Sequence, residues 1–248
     1  MAAPVLTLDE TDSTNAEARR RAEAGEVGPL WITVRRQTAG RGRRGRKWES
    51  ESGNLASTLL LLTRKSPAEA AQLTFAASLA VADLLDRYVP PALVTIKWPN
   101  DVLLDGRKTS GILIESGPAP AGGLWLAIGI GVNLSQTPGE TERPATCIAE
   151  HLNQGVASAP SVDEAAQALA ETFGVWLDRW TTLGFQPILD AWTARTPGLH
   201  GPCTARLTNE TLTGTADGVE ADGSLRLKLP DGSLRVISAG DVFFGETA

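Results

Sequence analysis

The sequence concentrates positive charge in one short segment. The formal net charge of the 248-residue chain is −6 at pH 7, yet no acidic residue lies between positions 35 and 47. The basic residues there are Arg35, Arg36, Arg41, Arg43, Arg44, Arg46 and Lys47. Glycines are interleaved with them, so backbone N–H groups can turn inward as an anion nest while arginines add bidentate phosphate donors. The segment therefore predicts a phosphate site.

Two other interpretations of this segment stay open on composition alone. It could be a solvated basic loop, or an RGG-like nucleic-acid segment, although such segments usually lie at a disordered terminus and not between two strands. It is not a P-loop or a dinucleotide fingerprint, because it lacks Gly-Lys-Ser/Thr and a correctly spaced third glycine.

Three further groups of polar residues could do chemistry. Lys97–Asp101 and Arg107–Gly111 supply lysines for a phosphate and an aspartate for a metal ion or ribose, although an ordinary turn is the alternative. Asp12–Asn15 places hydroxyls and an amide at a helix start, where they form either a cap or a small polar pocket. Gly129–Asn133 has glycines where a strand needs close approach by ligand or backbone.

The elements that position these residues can be predicted from capping and periodicity. Thr14–Glu17, Ser66–Glu69 and Ser161–Glu164 have capping-box spacing. They predict helices over 14–24, from 67 to about 88, and over 161–184. Strands are predicted at 31–35, 55–62, 94–98 and 124–132, with a hairpin joining 102–104 to 109–115 through Asp105-Gly106. Residues 36–54 should form a loop.

The order of these elements favours an α+β fold, a mixed sheet with flanking helices, over a doubly wound sheet, because hairpins outnumber βαβ units. After Pro197 the chain changes to short alternating strands, with turns at Asp222-Gly223 and Asp231-Gly232. This pattern predicts a small barrel packed on the main body. The predicted domains are 1–198 and 199–248.

Composition excludes several classes of protein. Cys147 and Cys203 show no metal-ligand spacing and indicate free thiols in a reducing compartment. The N-terminus lacks the features of a signal peptide, and no apolar run approaches the ~20 residues of a membrane span. The acidic balance argues against a whole surface built for nucleic acid. The sequence therefore predicts a cytoplasmic protein with no membrane partner.

Taken in order, the motifs closely resemble those of bacterial biotin–protein ligases. Within residues 5–135 they are Ser-Thr-Asn, Gln-x-x-Gly-Arg-Gly-Arg-Arg-Gly-Arg-x-Trp, Lys-Trp-Pro-Asn-Asp, Lys-x-x-Gly-Ile-Leu-x-Glu and Gly-x-Asn. The resemblance implies a class II synthetase-like catalytic domain followed by a small SH3-like β-barrel. Few residues precede Ser13, so we expect the form without the DNA-binding domain of the repressor members, and no DNA partner.

The resemblance also implies the chemistry. Biotin would be activated by ATP, with Mg²⁺, to biotinyl-5′-AMP and passed to a lysine of a biotin carboxyl carrier protein domain, in acetyl-CoA carboxylase or a related carboxylase. By motif, the biotin-binding residues are Ser13, Thr14, Asn15, Gln37, Gly40, Arg41, Gly42, Arg43 and Lys108. The ATP- and adenylate-binding residues are Arg41, Arg43, Arg46, Trp48, Lys97, Asn100, Asp101, Lys108 and Asn133. Lys108 and Arg43 are the expected catalytic residues, Asp101 is the expected metal ligand, and the loop from 134 to about 146 would cover the adenosine.

Alternative functions come from two classes. Lipoate–protein ligases share the adenylation logic and much of this layout. A nucleic-acid-binding module could use the basic loop, although the loop contains one aromatic residue, Trp48, where stacking platforms need several. The sequence leaves open whether the protein is a monomer or a homodimer.

Overall fold

The main body is built on a mixed sheet. A computed structural model describes residues 3–50, 52–139 and 144–245. The strands of this sheet are β1 Val5–Thr11, β2 Leu30–Gln37, β3 Leu55–Thr63, β4 Val94–Lys97, β5 Asp101–Leu104, β6 Arg107–Pro118 and β7 Leu124–Val132. Their spatial order is β1-β2-β3-β7-β6-β5-β4. β1 and β2 are parallel and the other neighbours are antiparallel, so the predicted α+β class is confirmed.

The predicted hairpin between β5 and β6 closes as expected. Asp105 and Gly106 both have positive φ, 53° and 70°. This is the conformation of a type I′ turn, which Asp-Gly favours because glycine has no Cβ to clash there.

Helices lie on both faces of the sheet. In the described part of the chain they are α1 Thr14–Glu23, α2 Pro67–Ala71, α3 Leu73–Leu85, α4 Val162–Leu183 and α5 Gln186–Ala194. The capping boxes at Ser66–Glu69 and Ser161–Glu164 are both formed. The box predicted at the start of α1 is wrong: Ser13 is the N-cap and makes no side-chain cap bond. The reason is that the Thr14 hydroxyl contacts side chains of β2 and β3, while Glu17 pairs with two arginines of its own helix.

The long helix predicted from 67 to about 88 is two helices. The break is at Gln72, whose side chain bonds Trp180 of α4 and the carbonyl of Ala221. By length and composition, Pro67–Leu85 is apolar enough to cross a membrane. The expectation that no apolar run approaches the length of a membrane span is therefore corrected. In this structure 67% of that window is buried inside the protein, as in the core helix of a folded domain.

The two faces of the sheet are covered differently. α3 and α4 pack on one face, α5 packs against these two helices, and together they form the main hydrophobic cluster with the sheet. On the other face, α1 covers the sheet through a small cluster that includes Ala18, Ala22, Leu60 and Ala127. The rest of that face is the floor of a cleft.

The C-terminal sheet is a separate antiparallel unit. Its strands are β8 Pro202–Arg206, β9 Thr211–Val219, β10 Leu225–Lys228, β11 Leu234–Ile237 and β12 Asp241–Phe244, in the order β11-β10-β9-β8-β12. Within residues 144–245 the edge strands β11 and β12 do not pair with each other, so no closed barrel is found and the SH3-like barrel is not confirmed. On β11, Leu234 and Val236 are 54% and 59% exposed, because this edge turns its side chains to solvent.

The C-terminal sheet packs on the main body, as its small size required. Its buried residues, among them Cys203 and Leu225, join the main hydrophobic cluster. The boundary between 198 and 199 stays a prediction; it falls between the end of α5 and the start of β8.

Candidate active-site cleft

One cleft gathers most of the residues predicted to bind substrates. Its cavity volume is about 120 Å³, within a depression of about 830 Å³ that includes open solvent. Strand glycines make room on its floor: a Cβ on Gly129 would come within 2.2 Å of the Asn15 Oδ1 atom, and one on Gly131 within 2.3 Å of the Trp48 indole. The close approach predicted at these glycines exists, but side chains make it instead of backbone or ligand.

The predicted residues divide into two sets by position. Those that line the cleft are Ser13, Thr14, Asn15, Gln37, Arg41, Gly42, Arg43, Arg46, Trp48, Asn100, Asp101 and Lys108. Gly40, Lys97 and Asn133 are not among the lining residues. Residues from four separate stretches of sequence thus meet in one place.

One end of the cleft is lined by neutral polar side chains. Ser13, Thr14 and Asn15 begin α1 and are buried. The Thr14 amide donates to Oε1 of Gln37 at 3.0 Å, which holds the helix start against the end of β2. Hydroxyl and amide groups here offer both donors and acceptors to a small polar ligand.

Two residues behind this end were not assigned from the sequence. Thr58 on β3 is fully buried, and its hydroxyl lies 2.8 Å from Thr14 Oγ1 and 2.7 Å from Asn15 Oδ1. Glu115 on β6 accepts from Asn15 Nδ2 at 2.8 Å. Glu115 is the last residue of the Lys-x-x-Gly-Ile-Leu-x-Glu motif, so the sequence contained a signal for it. Thr58 lies in an apolar strand outside any motif.

The arginine loop, residues 38–50, lines part of the cleft, and its arginine side chains are bound by other residues of the protein. Arg41 pairs with Glu115 at 3.0 Å, Arg43 donates to Asn100 Oδ1 at 3.1 Å, and Arg46 pairs with Asp241 of the C-terminal sheet at 2.6 Å. Guanidinium groups directed to partners in the fold argue against an exposed nucleic-acid segment. They fit a site for a small anion.

Arg43 is the most enclosed of these cations, and its burial lowers the pKa of its guanidinium from the ordinary value. Arginine nevertheless keeps its positive charge in proteins. A buried cation attracts an anion more strongly than an exposed one, because less solvent screens it.

The opposite end of the cleft is cationic. Lys108 Nζ lies 2.6 Å from Asp101 Oδ1 and 5.6 Å from the centroid of the Trp48 ring. Asn100 Nδ2 donates to the carbonyl of Ile112 at 2.8 Å. The hairpin of β5 and β6 therefore holds Asn100, Asp101 and Lys108 together, beside Arg43.

Lys97 and Gly40 have other surroundings. The Lys97 ammonium lies over the ring of Phe243, 4.9 Å from its centroid, beside a different groove. The structure therefore does not bring the Lys97 side chain to the cleft, although Lys97 pairs directly with Asp101 across β4 and β5. Gly40 packs so tightly that a Cβ would come within 2.4 Å of both Gln37 and Trp48.

Asn133 follows β7 and is buried behind the cleft. Its Nδ2 donates to the carbonyl of Thr146 at 3.0 Å, while its Oδ1 has no hydrogen-bond partner in the described parts of the chain. Asn54, which the sequence did not single out, accepts from the amides of residues 134, 135 and 136. The loop predicted to cover the adenosine includes residues 140–143, which lie outside the described residues.

Comparison with known proteins identifies the family. Residues 8–134 match the biotin/lipoate A/B protein ligase family, and residues 202–245 match the biotin protein ligase C terminal domain. The chain is 44% identical to the biotin–[acetyl-CoA-carboxylase] ligase of Paracoccus denitrificans, over 96% of this chain and 99% of the relative. The chain belongs to the biotin protein ligase family.

Other relatives agree with this membership. The ligase is 33% identical to the biotin–[acetyl-CoA-carboxylase] ligase of Mycobacterium tuberculosis, over 94% of this chain and 86% of the relative. The biotin protein ligase of Aquifex aeolicus in complex with biotin and ATP has the same fold, with a TM-score of 0.80 at 24% identity and coverage of 98% and 99%. That of Leishmania major in complex with biotinyl-5-AMP has a TM-score of 0.63 at 26% identity, with coverage of 95% and 99%. The predicted class, a ligase of biotin and ATP, is confirmed at the level of the family.

Proposed function

We propose that this ligase joins biotin to AMP in the cleft and then passes biotin to a lysine of a carrier domain. The carrier is a biotin carboxyl carrier domain of acetyl-CoA carboxylase or of a related carboxylase. One observation carries the proposal: neutral polar side chains line one end of the cleft, and Lys108 and Arg43 line the other. Biotin has the same division, a neutral ureido ring at one end and a carboxylate at the other.

The polar end suits the ureido ring. The ring presents one carbonyl acceptor and two N–H donors, and Ser13, Thr14 and Gln37 offer groups of both kinds. Because Lys108 lies in the same cleft, the ring and the carboxylate can be bound at the same time.

The cationic end suits the reaction of two anions. A carboxylate oxygen of biotin attacks the α-phosphorus of ATP, the bond to the bridging oxygen breaks, and pyrophosphate leaves with its electron pair. Lys108 and Arg43 oppose the repulsion between the two anions, and the cleft holds them in line. The carrier lysine then attacks the acyl carbon as a free amine, AMP leaves, and the nitrogen loses a proton.

Magnesium fits this site as an ion that arrives with ATP. Among residues 3–50, 52–139 and 144–245, no three His, Cys, Asp or Glu side chains converge as a preformed metal centre. Mg²⁺ on a nucleotide needs one or two protein carboxylates, because phosphates and water supply the other ligands. Asp101 lines the cleft beside Lys108, and we propose it as that carboxylate. The ion would supply further neutralisation of phosphate charge.

DNA binding is not part of the proposed function. The net charge of −6 supports this, because surfaces that bind nucleic acid are basic. Cys147 and Cys203 are both free and buried, which supports the proposed cytoplasmic location. Whether the protein is a monomer or a homodimer stays open.

A mass measurement tests the function directly. A purified carrier domain is incubated with the ligase, biotin, ATP and Mg²⁺, and should gain the mass of one biotin. A carrier whose acceptor lysine is changed to arginine should gain nothing, and neither should a reaction without ATP. A parallel reaction with lipoate in place of biotin shows which acid the enzyme uses. Modification of the carrier by lipoate and not by biotin would overturn the proposal.

We expect hydrogen exchange to fall in the arginine loop when biotinyl-AMP binds. The described backbone hydrogen bonds of the loop are donated by the Thr38, Ala39, Gly42, Arg46 and Trp48 amides, so other amides are left for a bound anion to order. Exchange with and without ligand is the measurement, with the amides of α3 as internal control. Strong protection of residues 38–50 in the free enzyme would contradict this expectation.

Asp241→Asn should weaken ATP binding, although Asp241 lies in the C-terminal sheet and not in the main body. Arg46 and Arg44 both reach the Asp241 carboxylate, which therefore holds the arginine loop in place. The pair is partly exposed, so we expect KM for ATP to rise only about 3- to 10-fold, with a smaller change in kcat.

The control for this variant is Glu210→Gln, which removes an exposed ion pair with Arg235 on the same C-terminal sheet. It should leave KM for ATP unchanged. An unchanged KM in Asp241→Asn would show that ATP binding does not depend on this contact.

A further inference from the structure

The backbone of Lys108 is held by a segment that lies beyond the end of β7. β7 ends at Val132, which pairs with Ser110 of β6, so this strand does not extend to Lys108. Instead, the Lys108 amide donates to the carbonyl of Pro144 at 2.9 Å, and the Lys108 carbonyl accepts from the Thr146 amide at 3.0 Å. The position of the lysine backbone therefore depends on how this segment is fixed.

The Glu150 carboxylate connects the two sides of this contact. Its Oε2 atom accepts from the Thr146 hydroxyl at 2.9 Å and from Arg107 Nη1 at 3.1 Å. Arg107 directly precedes Lys108 in β6, and Thr146 is the residue whose amide bonds the Lys108 carbonyl. One carboxylate oxygen thus joins the strand that carries the lysine to the segment that binds the lysine backbone.

The short turn that carries Glu150 is itself fixed to the main body. Ile148 is fully buried, and its amide donates to the Asn133 carbonyl at 3.1 Å. The Ala149 amide donates to the Leu134 carbonyl at 2.9 Å. Because both bonds join the turn to the chain directly after β7, the Glu150 backbone has a defined place from which its side chain can hold other groups.

The Glu150 carboxylate is charged near neutral pH and only partly shielded from solvent. The Thr137 hydroxyl donates to it, and this bond is the main cause that holds the pKa of the carboxyl below its ordinary value. The side chains of Arg107 and Glu150 are 37% and 40% exposed. An ion pair with this exposure contributes little to the free energy of unfolding. Its loss should therefore affect the position of Lys108 more than the stability of the fold.

We infer that Glu150 is a positioning residue, which fixes the Lys108 backbone so that the lysine ammonium is held where the two anions meet. The inference rests on the proposed function, in which Lys108 opposes the repulsion between the biotin carboxylate and the α-phosphate. Glu150 is not among the described residues that line the cleft, so it acts through Lys108 and not through the substrates. Position matters because a displacement of about 1 Å can cost about 100-fold in rate.

Glu150→Ala tests this assignment by pyrophosphate release with biotin and ATP. We expect kcat for adenylate formation to fall roughly tenfold, with a smaller change in KM for either substrate. Glu150→Gln keeps an oxygen that can accept from the Thr146 hydroxyl but has no charge for Arg107. Its kcat should therefore lie between those of Glu150→Ala and the wild type.

A double-mutant cycle separates action through Lys108 from a general loss of structure. In Lys108→Ala the ammonium to be positioned is gone, so adding Glu150→Ala should lower the single-turnover rate of adenylate formation by less than about twofold more. Radiolabelled ATP makes the slow reaction of these variants measurable. A tenfold fall in both backgrounds would show that Glu150 acts independently of Lys108, and the inference would be wrong.

The matched control is Glu171→Ala on α4. Glu171 pairs with Arg87 at 3.1 Å, the same distance as in the Glu150 pair, and is also exposed. It should leave kcat unchanged. Thermal unfolding of each variant identifies any loss of fold, and Glu150→Gln takes the place of Glu150→Ala in the cycle if alanine prevents folding. An unchanged kcat in folded Glu150→Ala would overturn this inference alone, whereas a wild-type enzyme that makes no adenylate would defeat the proposed function.

Discussion

Lys108→Ala should nearly abolish adenylate formation while leaving the fold in place. Lys108 is the lysine of the cationic end, and its side chain is held by Asp101 and the Trp48 ring before any substrate arrives. A preorganised cation acts where the carboxylate meets the α-phosphate, and removing one such donor typically lowers the rate by about 10²–10³. We therefore expect a loss of at least about 100-fold in kcat, larger than the change in KM for either substrate.

Pyrophosphate release with biotin and ATP is the measurement. Lys65→Ala is the matched control, since it removes a lysine that pairs with Glu69 and lies over Trp180, away from the cleft. Asp101 is buried and loses its contact with Lys108 in the Lys108 variant, so the unfolding temperatures of both variants should be compared with that of the wild type. A variant that unfolds like the wild type and releases pyrophosphate at the wild-type rate would remove Lys108 from the reaction.

Much of this site could be predicted from sequence because its motifs coincide with element ends. Capping boxes and an Asp-Gly turn are local devices, so Ser66–Glu69, Ser161–Glu164 and Asp105-Gly106 form as their spacing predicts. The box at Thr14 failed because tertiary contacts with β2 and β3 take its hydroxyl. Local rules hold where no distant residue competes for the same group.

The residues that sequence reasoning missed act over long separations. Thr58 and Asn54 contact residues 43 and 80 positions away, respectively, and neither stands in a motif. Asp241 of the C-terminal sheet holds Arg46 from 195 positions away. Lys97 was assigned to the nucleotide because it shares a motif with Asn100 and Asp101, but the strand turns its side chain to Phe243. Residues of one motif therefore do not all reach the same cleft.

Arg43→Gly should make the enzyme leaky and not inactive. Arg43 is the most enclosed cation of the arginine loop and bonds Asn100 on the β4–β5 connection, where it can hold the adenylate after it has formed. Loss of a charge-assisted contact of about 2–3 kcal/mol raises an off-rate roughly 30- to 150-fold if the effect falls on dissociation. The released mixed anhydride reacts with any nearby amine, so bystander proteins should become biotinylated.

The measurement adds excess serum albumin to enzyme, ATP and biotin and probes the albumin with streptavidin. Arg44→Gly is the comparison, because the neighbouring guanidinium is directed to Asp241 and Thr208 of the C-terminal sheet. It should label albumin less than Arg43→Gly does, although both variants remove one arginine from the same loop. Pyrophosphate release shows whether each variant still makes adenylate. If Arg43→Gly makes adenylate yet labels albumin no more than the wild type, Arg43 does not retain the intermediate, and the anion lies elsewhere along the loop.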